Sequence, residues 1–543
     1  MQSFLNRFKS LLGSSPASLL CFLLAIACKL LYLRYYLGSG ADKFAQTALT
    51  HNFLNGHGFR LHVAFAEDLS KVGFLPDVGW PPGYSWLLAI IMPFTGTHYA
   101  LAWYIADIVS ALLFLWFCRR LLLLIDFPAW LINLFLLLQG AANFRHTQGS
   151  PPTDLLSLGL LVASLYYVLR IIKAPGFSWK PVLWLCLFML LACFVRYQNF
   201  PVCILVSLVL CVTGWKGQHK PWFRSGLVTM VGLFLFFGGF LLYQFFESGS
   251  AFYVEPAKKG FYLSNLLSAC PFALSGTINV KFFGVQAGLL SGMSYPTWGK
   301  VVVLIGLPLS VLFSVVVVWY LLKKSWLKQS LLQWFLFFGS FIFLGMIGLL
   351  VVLSLLIDNQ IGPPTNQWTY IQEARYYYFP IFFMQACLWW FLFARQRSYV
   401  NWGIRLARWG YGFLMAVALL HGLYFALRRA HHMPYSLERI PYESPEQAFV
   451  IDFIQDLQKR EPERQVVVTG FHKRYAFLAD LYGSAGLFGP LTLNKQAPRS
   501  SRPAVLLLVL HERELPLMTS YLSLPNVKQV FSAEHYLVFA LYV

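Results

Sequence analysis

The sequence predicts an all-α polytopic membrane bundle with external juxtamembrane helices and a small soluble C-terminal α/β domain. Of the 543 residues, 58% are hydrophobic and only 12% are charged, about half the charged fraction of a soluble protein. Residues 1–430 contain a series of apolar stretches, each close to the roughly 20 residues that a membrane helix needs. In residues 431–543, short apolar runs alternate with polar segments. We therefore expect a membrane domain at 1–430 and a soluble domain at 431–543.

The apolar stretches predict about eleven membrane helices. Residues 84–94 are apolar but too short to span, so they form a re-entrant piece or lengthen a neighbouring helix, and the number could reach about twelve or thirteen. The spans are expected at 16–37, 99–124, 127–144, 153–172, 180–197, 199–215, 225–246, 300–322, 331–357, 377–394 and 406–427.

Basic residues predict the orientation of these helices, because lysine and arginine concentrate in cytoplasmic loops. With the N-terminus in the cytoplasm, most basic clusters face the cytoplasm, and Arg428 and Arg429 fall on the other side. The cytoplasmic clusters are at 119–120, 170–173, 216–224, 323–328 and 395–397. The external face then holds the soluble domain and the loops 38–98, 145–152, 247–299 and 358–376.

The positive net charge of the chain does not indicate nucleic acid as a partner. The formal net charge is +20, from 42 lysines and arginines against 22 acidic residues, and cytoplasmic loops and anionic lipid account for this excess in a membrane protein. Of the nine cysteines, Cys270 is the one in a predicted external loop, so no disulfide framework is expected. The stretch 16–37 is long enough to span a bilayer, so no cleavable signal peptide is expected.

Residues 431–543 predict both helices and strands. An amphipathic helix is expected at 444–457, where a serine followed by proline favours a helix start. The other predicted elements are strands at 465–469, 504–510, 527–531 and 536–542 and helices at 475–482 and 512–522.

The first external loop, residues 38–86, is too long for a simple connector, and loops of such length are usually functional. Residues 41–54 place apolar side chains at helical spacing with polar ones between them, which predicts a short amphipathic helix on the membrane surface. The Asn-Gly-His-Gly sequence at 55–58 ends this helix. The Trp-Pro-Pro-Gly-Tyr sequence at 80–84 is rigid and aromatic and leads into the next apolar segment.

Four charged residues fall at the external ends of predicted helices: Asp42, Asp154, Arg196 and Arg375. A carboxylate can accept a proton from an attacking hydroxyl. A guanidinium binds phosphate with a planar fork and keeps its charge. Together these groups suit a reaction on a lipid phosphate. The structural alternative for each residue is an interfacial anchor or a helix cap, and Asp154 stands where it would cap its helix.

Several other polar residues allow both a functional and a structural interpretation. Lys258 and Lys259 are phosphate candidates or part of a solvated basic turn. Asp107 lies in an apolar span, where an acid is functional or paired with a polar group of another helix. Three histidines of the first loop match no strong metal motif, so no cofactor is expected and a divalent metal such as zinc stays an alternative. They are His51, His57 and His62.

Three sets of motifs together carry a family resemblance. The first loop has an aromatic residue, an alanine, then a leucine and glycines, and it closes on Pro-Pro-Gly-Tyr at 81–84. Two later sequences follow, Arg-Tyr at 196–197 and Glu-Ala-Arg-Tyr-Tyr at 373–377. In this order they resemble the GT-C glycosyltransferases, in the bacterial branch that contains aminoarabinose transferase and the protein O-mannosyltransferase-like enzymes. The matching residues of the first run are Phe44, Ala48, Asn52, Leu54, Gly56, Gly58 and Phe59.

The resemblance implies a catalytic base in the first loop. The family's early acidic residue maps onto Asp42, two positions before Phe44, whereas the family usually has the acid four positions before the aromatic, where this chain has Gly40. Asp77 and Asp154 therefore stay alternative bases. Glu67 and Asp68, in the middle of the loop, are disfavoured, because flexibility would blur the geometry that catalysis needs. Asp68→Asn is therefore expected to have little effect.

The resemblance also implies roles for the remaining candidates. Arg375 and Arg196 would bind the donor phosphate, with Lys258 and Lys259 as further phosphate ligands. A wall of the cavity where the lipid enters would be formed by Trp80, Pro81, Pro82, Tyr84 and Tyr376.

The implied function is that of an inverting, lipid-dependent glycosyltransferase of a bacterial inner membrane. It would move a sugar from a polyprenyl-phosphate carrier to a lipid, glycan or protein acceptor on the periplasmic side, where the soluble domain also lies. The alternatives are a transporter or flippase of a lipid-linked sugar and a non-catalytic scaffold with the same fold. A transporter favours paired half-repeats and ionisable residues near the membrane midplane, and the sequence has neither in clear form.

Overall fold

A computed structural model places most of the predicted helices and strands. It describes residues 10–35, 41–65, 68–76, 80–96, 98–143, 153–248, 312, 314–320, 330–356, 360–361, 368–369, 378–394, 402–431, 445–470, 485–486, 500–512, 514–515, 522–523, 526–533 and 535–543. The chain divides into two units. The helical unit is Met1–Tyr35, Asp107–Leu241 and Val254–Pro434, and the mixed unit is Tyr36–Ala106, Leu242–Tyr253 and Tyr435–Val543.

Helices make up most of the described chain. They are α1 Ser15–Tyr35, α2 Ala41–Leu54, α3 Gly83–Thr95, α4 Tyr99–Leu124, α5 Ala129–Leu138, α6 Thr153–Lys173, α7 Trp179–Val195, α8 Asn199–Lys216, α9 Lys220–Leu233, α10 Gly239–Ser248, α11 Leu331–Leu356, α12 Tyr378–Trp389, α13 Trp402–His431 and α14 Pro445–Arg460. The strands are β1 Arg60–Phe65, β2 Asp68–Pro76, β3 Gln360–Ile361, β4 Trp368–Thr369, β5 Gln465–Gly470, β6 Ala485–Gly486, β7 Ala504–His511, β8 Val527–Ala533 and β9 Tyr536–Tyr542.

The predicted membrane spans coincide with helices to within a few residues, apart from 300–322, most of which lies outside the described residues. The chain is a multi-pass membrane protein: in its described part, five helices are long and apolar enough to cross a bilayer. The five are Leu101–Leu124, Thr153–Lys173, Asn199–Lys216, Lys220–Glu247 and Leu331–Leu349. The number of about eleven spans stays a prediction.

Helices α8 and α9 form a closely packed pair in the helical unit. A Cβ atom at Gly226 of α9 would lie 2.7 Å from the backbone nitrogen of Cys211 and 2.7 Å from the carbonyl oxygen of Ser207, both on α8. Small residues at a contact between membrane helices allow such close backbone approach. Only glycine fits at position 226 without moving one of the two helices.

Gly226→Ala is expected to lower the melting temperature of the protein in detergent, because α8 and α9 must separate to admit the methyl group. Overpacking of this kind costs about 1–3 kcal/mol of unfolding free energy. The matched control is Gly239→Ala in α10, where nothing lies within 4 Å of an added Cβ. Equal melting temperatures for the two variants would contradict the close contact.

Two elements of the helical unit are joined by a buried amide pair. A π-helical turn, Gln139–Asn143, follows α5, and the Nε2 atom of Gln139 donates a hydrogen bond of 2.9 Å to Oε1 of Gln385 in α12. Both side chains are buried, where an amide without a partner would be costly. Next to it, a Cβ at Gly140 would lie 2.5 Å from the Cα of Ala25 in α1. This corner therefore packs backbone against backbone.

One sheet of the mixed unit joins the first external loop to the C-terminal region. Its strand order is β2-β1-β6-β5-β7-β9-β8. The hairpin β1–β2 is antiparallel, β6, β5 and β7 run parallel, and β9 and β8 are antiparallel. The hairpin meets the other strands through a parallel pairing of β1 with β6, at Val63 opposite Gly486.

The predicted strands of the C-terminal region are confirmed by β5, β7, β8 and β9, and the predicted helix at 444–457 by α14. The predicted helix at 475–482, and most of the one at 512–522, lies outside the described residues. Strand β7 is buried over Ala504–Leu510, as expected of a central strand covered on both faces. Ala64 and Leu69 from the hairpin belong to the same hydrophobic core as Leu506.

Candidate active site

Asp154 and Arg196 form a buried ion pair at the ends of two helices. Asp154 is the second residue of α6, and Arg196 directly follows α7, where the backbone becomes extended. Nη2 of Arg196 lies 2.6 Å from Oδ1 of Asp154, and the two side chains are 12% and 0% exposed. The sequence predicted both helix ends, but it did not predict that the two residues contact each other.

A hydrogen-bond network holds the corner that carries Arg196. Asn199, the first residue of α8, donates from Nδ2 to Oγ of Ser157 in α6 and to the carbonyl oxygen of Ala192 in α7, each at 2.8 Å. The backbone N–H of Arg196 donates to the same Ala192 oxygen at 3.0 Å. The ends of α6, α7 and α8 are thereby tied together, so the position of the Arg196 backbone is fixed.

This arrangement suits anion binding better than proton transfer by Asp154. A guanidinium has five N–H donors in a planar fork, so it can hold a carboxylate and a phosphate together. The carboxylate of Asp154 is paired with the guanidinium through Oδ1, and this contact orients the planar fork. The geometry therefore favours Asp154 as the partner that orients Arg196.

Asp42 is the second residue of α2, the helix of the first external loop. Its carboxylate lies outside the described side chains. The rest of the helix is fixed by hydrogen bonds to α3. Ser85 donates from its backbone N–H and from Oγ to Oε1 of Gln46, at 3.1 and 2.5 Å, and Oγ1 of Thr50 donates to the Ser85 carbonyl oxygen at 3.2 Å. The backbone of α2 is thus anchored to α3 at Gln46 and Thr50, about one and two helical turns after Asp42.

The helix predicted at 41–54 is confirmed, but its expected placement as an amphipathic surface helix is wrong. Five of its polar side chains are buried, while Phe53 and Leu54 are 42% and 44% exposed. The polar residues face hydrogen-bond partners on neighbouring elements instead of solvent, as Asn52 does by donating to the carbonyl oxygen of Arg60 at 2.8 Å. The buried polar residues are Lys43, Gln46, Thr47, Thr50 and Asn52.

The proline-rich sequence before α3 packs against α2. Pro81, Pro82 and Tyr84 are buried and Trp80 is half-buried. Nε2 of Gln46 donates to the carbonyl oxygen of Pro81 at 3.4 Å. These contacts make the segment rigid, and its role as a cavity wall stays a prediction.

A lysine of α2 is buried beside the predicted base. Lys43 is 4% exposed, and its Nζ lies 5.6 Å from the ring centroid of Trp103 at the start of α4. Trp103 also donates from Nε1 to Oγ1 of Thr47 at 2.7 Å and meets Phe44 edge to face at 5.4 Å. The sequence did not single out this cluster, because lysine, threonine and tryptophan are all common at membrane interfaces.

The three histidines of the first loop make separate contacts. The ring of His51 lies 3.2 Å from the hydroxyl of Tyr99, and the rings of His57 and His62 stack on Phe74 at 3.9 and 5.0 Å. Burial lowers the pKa of His51, and burial together with His57 lowers the pKa of His62. Within the described residues, no group of three His, Cys, Asp or Glu side chains is placed to bind a metal ion.

Asp68 joins the hairpin of the first loop to the C-terminal region. Its Oδ1 accepts from the backbone N–H groups of Ser501 and Ser70 at 3.0 and 3.1 Å and from Oγ of Ser70 at 2.7 Å, and its Oδ2 accepts from Oγ of Ser501 at 2.7 Å. Lys71 lies 4.0 Å away. The expectation that acids in mid-loop are loosely held is therefore wrong for Asp68.

Acid is expected to loosen this junction. The hydrogen bonds from Ser501 and Ser70 hold the pKa of the Asp68 carboxyl well below its ordinary value, so the contacts are fully present above about pH 4. Their contribution falls as the pH drops towards the lowered folded-state pKa. Hydrogen exchange of the β2 amides is measured from pH 7 down to pH 3 and corrected for the intrinsic rate at each pH. As the pH falls, the protection of these amides should decrease more in the wild type than in Asp68→Asn. An identical profile in both proteins would contradict this assignment.

Several predicted site residues lie outside the described residues. They are Asp77, Lys258, Lys259, Arg375 and Tyr376. Asp107 is described, and its side chain is buried in α4.

Comparison with known proteins supports the fold. No family model and no curated protein sequence matches the chain. Among solved structures, the crystal structure of ArnT from Cupriavidus metallidurans in the apo state is 13% identical, with a TM-score of 0.53 over 97% of this chain and 98% of that chain. ArnT is an aminoarabinose transferase of the GT-C superfamily. This chain has the GT-C fold.

Two further solved structures are similar at a lower level. ArnT from the same organism bound to undecaprenyl phosphate is 12% identical, with a TM-score of 0.47 over 97% of this chain and 98% of that chain. The archaeal oligosaccharyltransferase AglB from Archaeoglobus fulgidus, in complex with an inhibitory peptide and a dolichol-phosphate, is 10% identical. Its TM-score is 0.46 over 93% of this chain and 70% of that chain. With TM-scores below 0.5, these two add nothing to the fold assignment.

The GT-C fold was predicted from short motifs, whereas the contacts around them were missed. Ser157 and Asn199 carry the network at Arg196, and Gln46 and Ser85 interlock α2 with α3. The one local signal was the position of Asn199 directly after the Arg-Tyr-Gln sequence that follows α7. Its partners come from other helices, so the sequence alone could not name them.

Proposed function

We propose that the protein is an inverting glycosyltransferase of a bacterial inner membrane, which takes its sugar from a polyprenyl-phosphate carrier. The observation that carries the proposal is the buried Asp154–Arg196 pair, at 2.6 Å, in a chain with the GT-C fold. A fold hosts many functions, so the site must supply the chemistry. A permanently charged guanidinium held in place at a helix end supplies what a lipid phosphate needs.

The reaction is a displacement at the anomeric carbon of the donor sugar. The oxygen of an acceptor hydroxyl attacks this carbon on the face opposite the phosphate, and Asp42 takes the hydroxyl proton. The bond from the anomeric carbon to the phosphate oxygen breaks, and polyprenyl phosphate leaves with the electron pair. The product therefore has the opposite anomeric configuration.

The phosphate is held by Arg196 and Arg375, with Lys258 and Lys259 as further cations. Preorganised positive charge stabilises a leaving phosphate more in the transition state than in the ground state, because negative charge develops there. Asp154 fixes the direction of the Arg196 fork.

The proposal is tested by sugar transfer in lipid vesicles. Purified protein is given a polyprenyl-phosphate donor with a radiolabelled sugar, together with an envelope extract as the source of acceptor. Label is expected to move from the carrier into an acceptor fraction. Arg375→Ala should abolish this transfer and Arg375→Lys should restore only part of it, since an ammonium lacks the bidentate fork. If label stays on the carrier in all samples, the chain is not this enzyme.

The proposed orientation places the N-terminus in the cytoplasm and the C-terminal region in the periplasm. Alkaline phosphatase fused after Arg439 is expected to be active, because it folds only outside the cytoplasm, and β-galactosidase fused at the same position should be inactive. The reverse pattern would exclude a periplasmic site.

A further inference from the structure

We propose that Asp68 and Ser501 are positioning residues for the transfer reaction. They clamp the hairpin β1–β2 to the C-terminal region, and the hairpin holds α2, the helix that bears Asp42. The inference rests on the proposed function, because it assigns the C-terminal region a role in placing the base. It also replaces the expectation that Asp68 matters little.

The clamp adds side-chain hydrogen bonds beside a short strand pairing. Strand β1 meets β6 at a single register position, Val63 opposite Gly486, so the ladder supplies few hydrogen bonds. Asp68 adds two charge-assisted hydrogen bonds from Ser501, at 2.7 Å from Oγ and 3.0 Å from the backbone N–H. Hydrogen bonds to an ionised group are about twice as strong as neutral ones. A hydroxyl–hydroxyl contact of 2.9 Å between Ser70 and Ser501 adjoins them.

Apolar contacts also join the hairpin to the sheet. Ala64 and Leu69 join the core of the sheet, but hydrophobic burial is non-directional. The contacts at Asp68 add directional hydrogen bonds between the hairpin and the C-terminal region. A second polar contact lies at the start of the hairpin, where Nη2 of Arg60 is 3.1 Å from Oε2 of Glu247 in α10.

The hairpin in turn fixes the C-terminal end of α2. Nδ2 of Asn52 donates to the carbonyl oxygen of Arg60 at 2.8 Å. The backbone N–H of His57 donates to the backbone carbonyl oxygen of Asn52 at 2.9 Å. The rings of Phe53 and Phe59 stack at 4.2 Å. A helix is stiff over such a length, and Asp42 lies about 15 Å along the axis from Asn52 at 1.5 Å per residue. A shift at one end therefore moves the other.

Catalysis is sensitive to such shifts. A misplacement of about 1 Å caused by a remote substitution can lower a rate by about 10²-fold. Loss of the clamp should therefore lower kcat while the KM for the donor, whose proposed phosphate ligands are other residues, changes little. Asp68→Asn is expected to lower kcat by about 10–10²-fold.

The decisive test replaces the clamp by a covalent link. Ser70→Cys and Ser501→Cys are combined in a Cys270→Ser background, since Cys270 is the cysteine that the sequence places in an external loop. Because the two hydroxyls lie 2.9 Å apart, oxidation should form a disulfide, detected by mass spectrometry of the linked peptides. Transfer should be impaired in the reduced sample and restored on oxidation. The same folded protein is compared in both states, so a loss of folded material cannot produce this difference.

Each result supports or overturns the inference. Asp452→Asn, an exposed carboxylate on α14, is the matched control and should keep wild-type kcat. If no disulfide forms, or if the reduced double-cysteine protein and Asp68→Asn both keep wild-type kcat, the positioning role is wrong. If the disulfide forms but the wild type transfers no sugar, the contact between the hairpin and the C-terminal region is confirmed. The proposed function is then wrong, and so is the positioning role that rests on it.

Discussion

Asp42→Asn is expected to lower sugar transfer by about 10²–10⁴-fold, the usual cost of losing a general base. An amide cannot take the proton of the acceptor hydroxyl, yet it has the size of the carboxylate, so folding should be preserved. Donor binding should be nearly unchanged, since the proposed phosphate ligands are arginines and lysines elsewhere in the sequence. Turnover and donor binding of the purified variant, measured separately, check both statements.

The matched control is Asp126→Asn. Asp126 is exposed in the turn after α4 and has a positive φ of 61°, a conformation that asparagine tolerates well, so this variant should behave as the wild type. Normal turnover in Asp42→Asn together with loss in Asp77→Asn or Asp154→Asn would transfer the role of base to that residue. If none of the three changes transfer, the mechanism is wrong.

Arg196→Ala is expected to cause the second large loss, in both stability and turnover. It leaves the buried carboxylate of Asp154 without its guanidinium, which typically costs about 3–5 kcal/mol of unfolding free energy. It also removes a donor to the leaving phosphate, a change worth about 10²–10³-fold in rate at comparable sites. Melting temperature and transfer rate are measured on the same preparation.

A double variant separates the two effects. Asp154→Asn combined with Arg196→Gln removes both charges, so most of the lost stability should return. Turnover should stay low if Arg196 binds the donor phosphate. Recovery of turnover together with stability would show that the pair is purely structural.

The helical part of the fold was largely predictable because its signal is local. An apolar stretch of span length predicts a helix from its own composition, as α6 illustrates, which begins at Thr153 as expected. The attachment of the hairpin β1–β2 to the C-terminal strands was missed for the opposite reason. Val63 of β1 pairs with Gly486, more than 400 positions away in the sequence, and no local pattern encodes such a partner.

The candidate site was predictable only as far as helix ends are. The positions of Asp154 and Arg196 followed from the predicted bounds of α6 and α7, but their contact depends on how these helices pack. Likewise, the alternation in α2 predicted a polar face without saying what it meets. In the structure Gln46 meets Ser85, whereas the same pattern on a surface helix would face water.

The most direct test of the central claim is donor cleavage in detergent solution. Micelles have no second compartment, so a flippase has nothing to transport, whereas a transferase still breaks the bond between sugar and phosphate. With donor and acceptor present, the wild type is expected to release polyprenyl phosphate in step with glycosylated acceptor, and Asp42→Asn to release about 10²–10⁴-fold less per unit time. A donor that stays intact with folded wild-type protein and every acceptor class supplied would contradict the assignment as a glycosyltransferase.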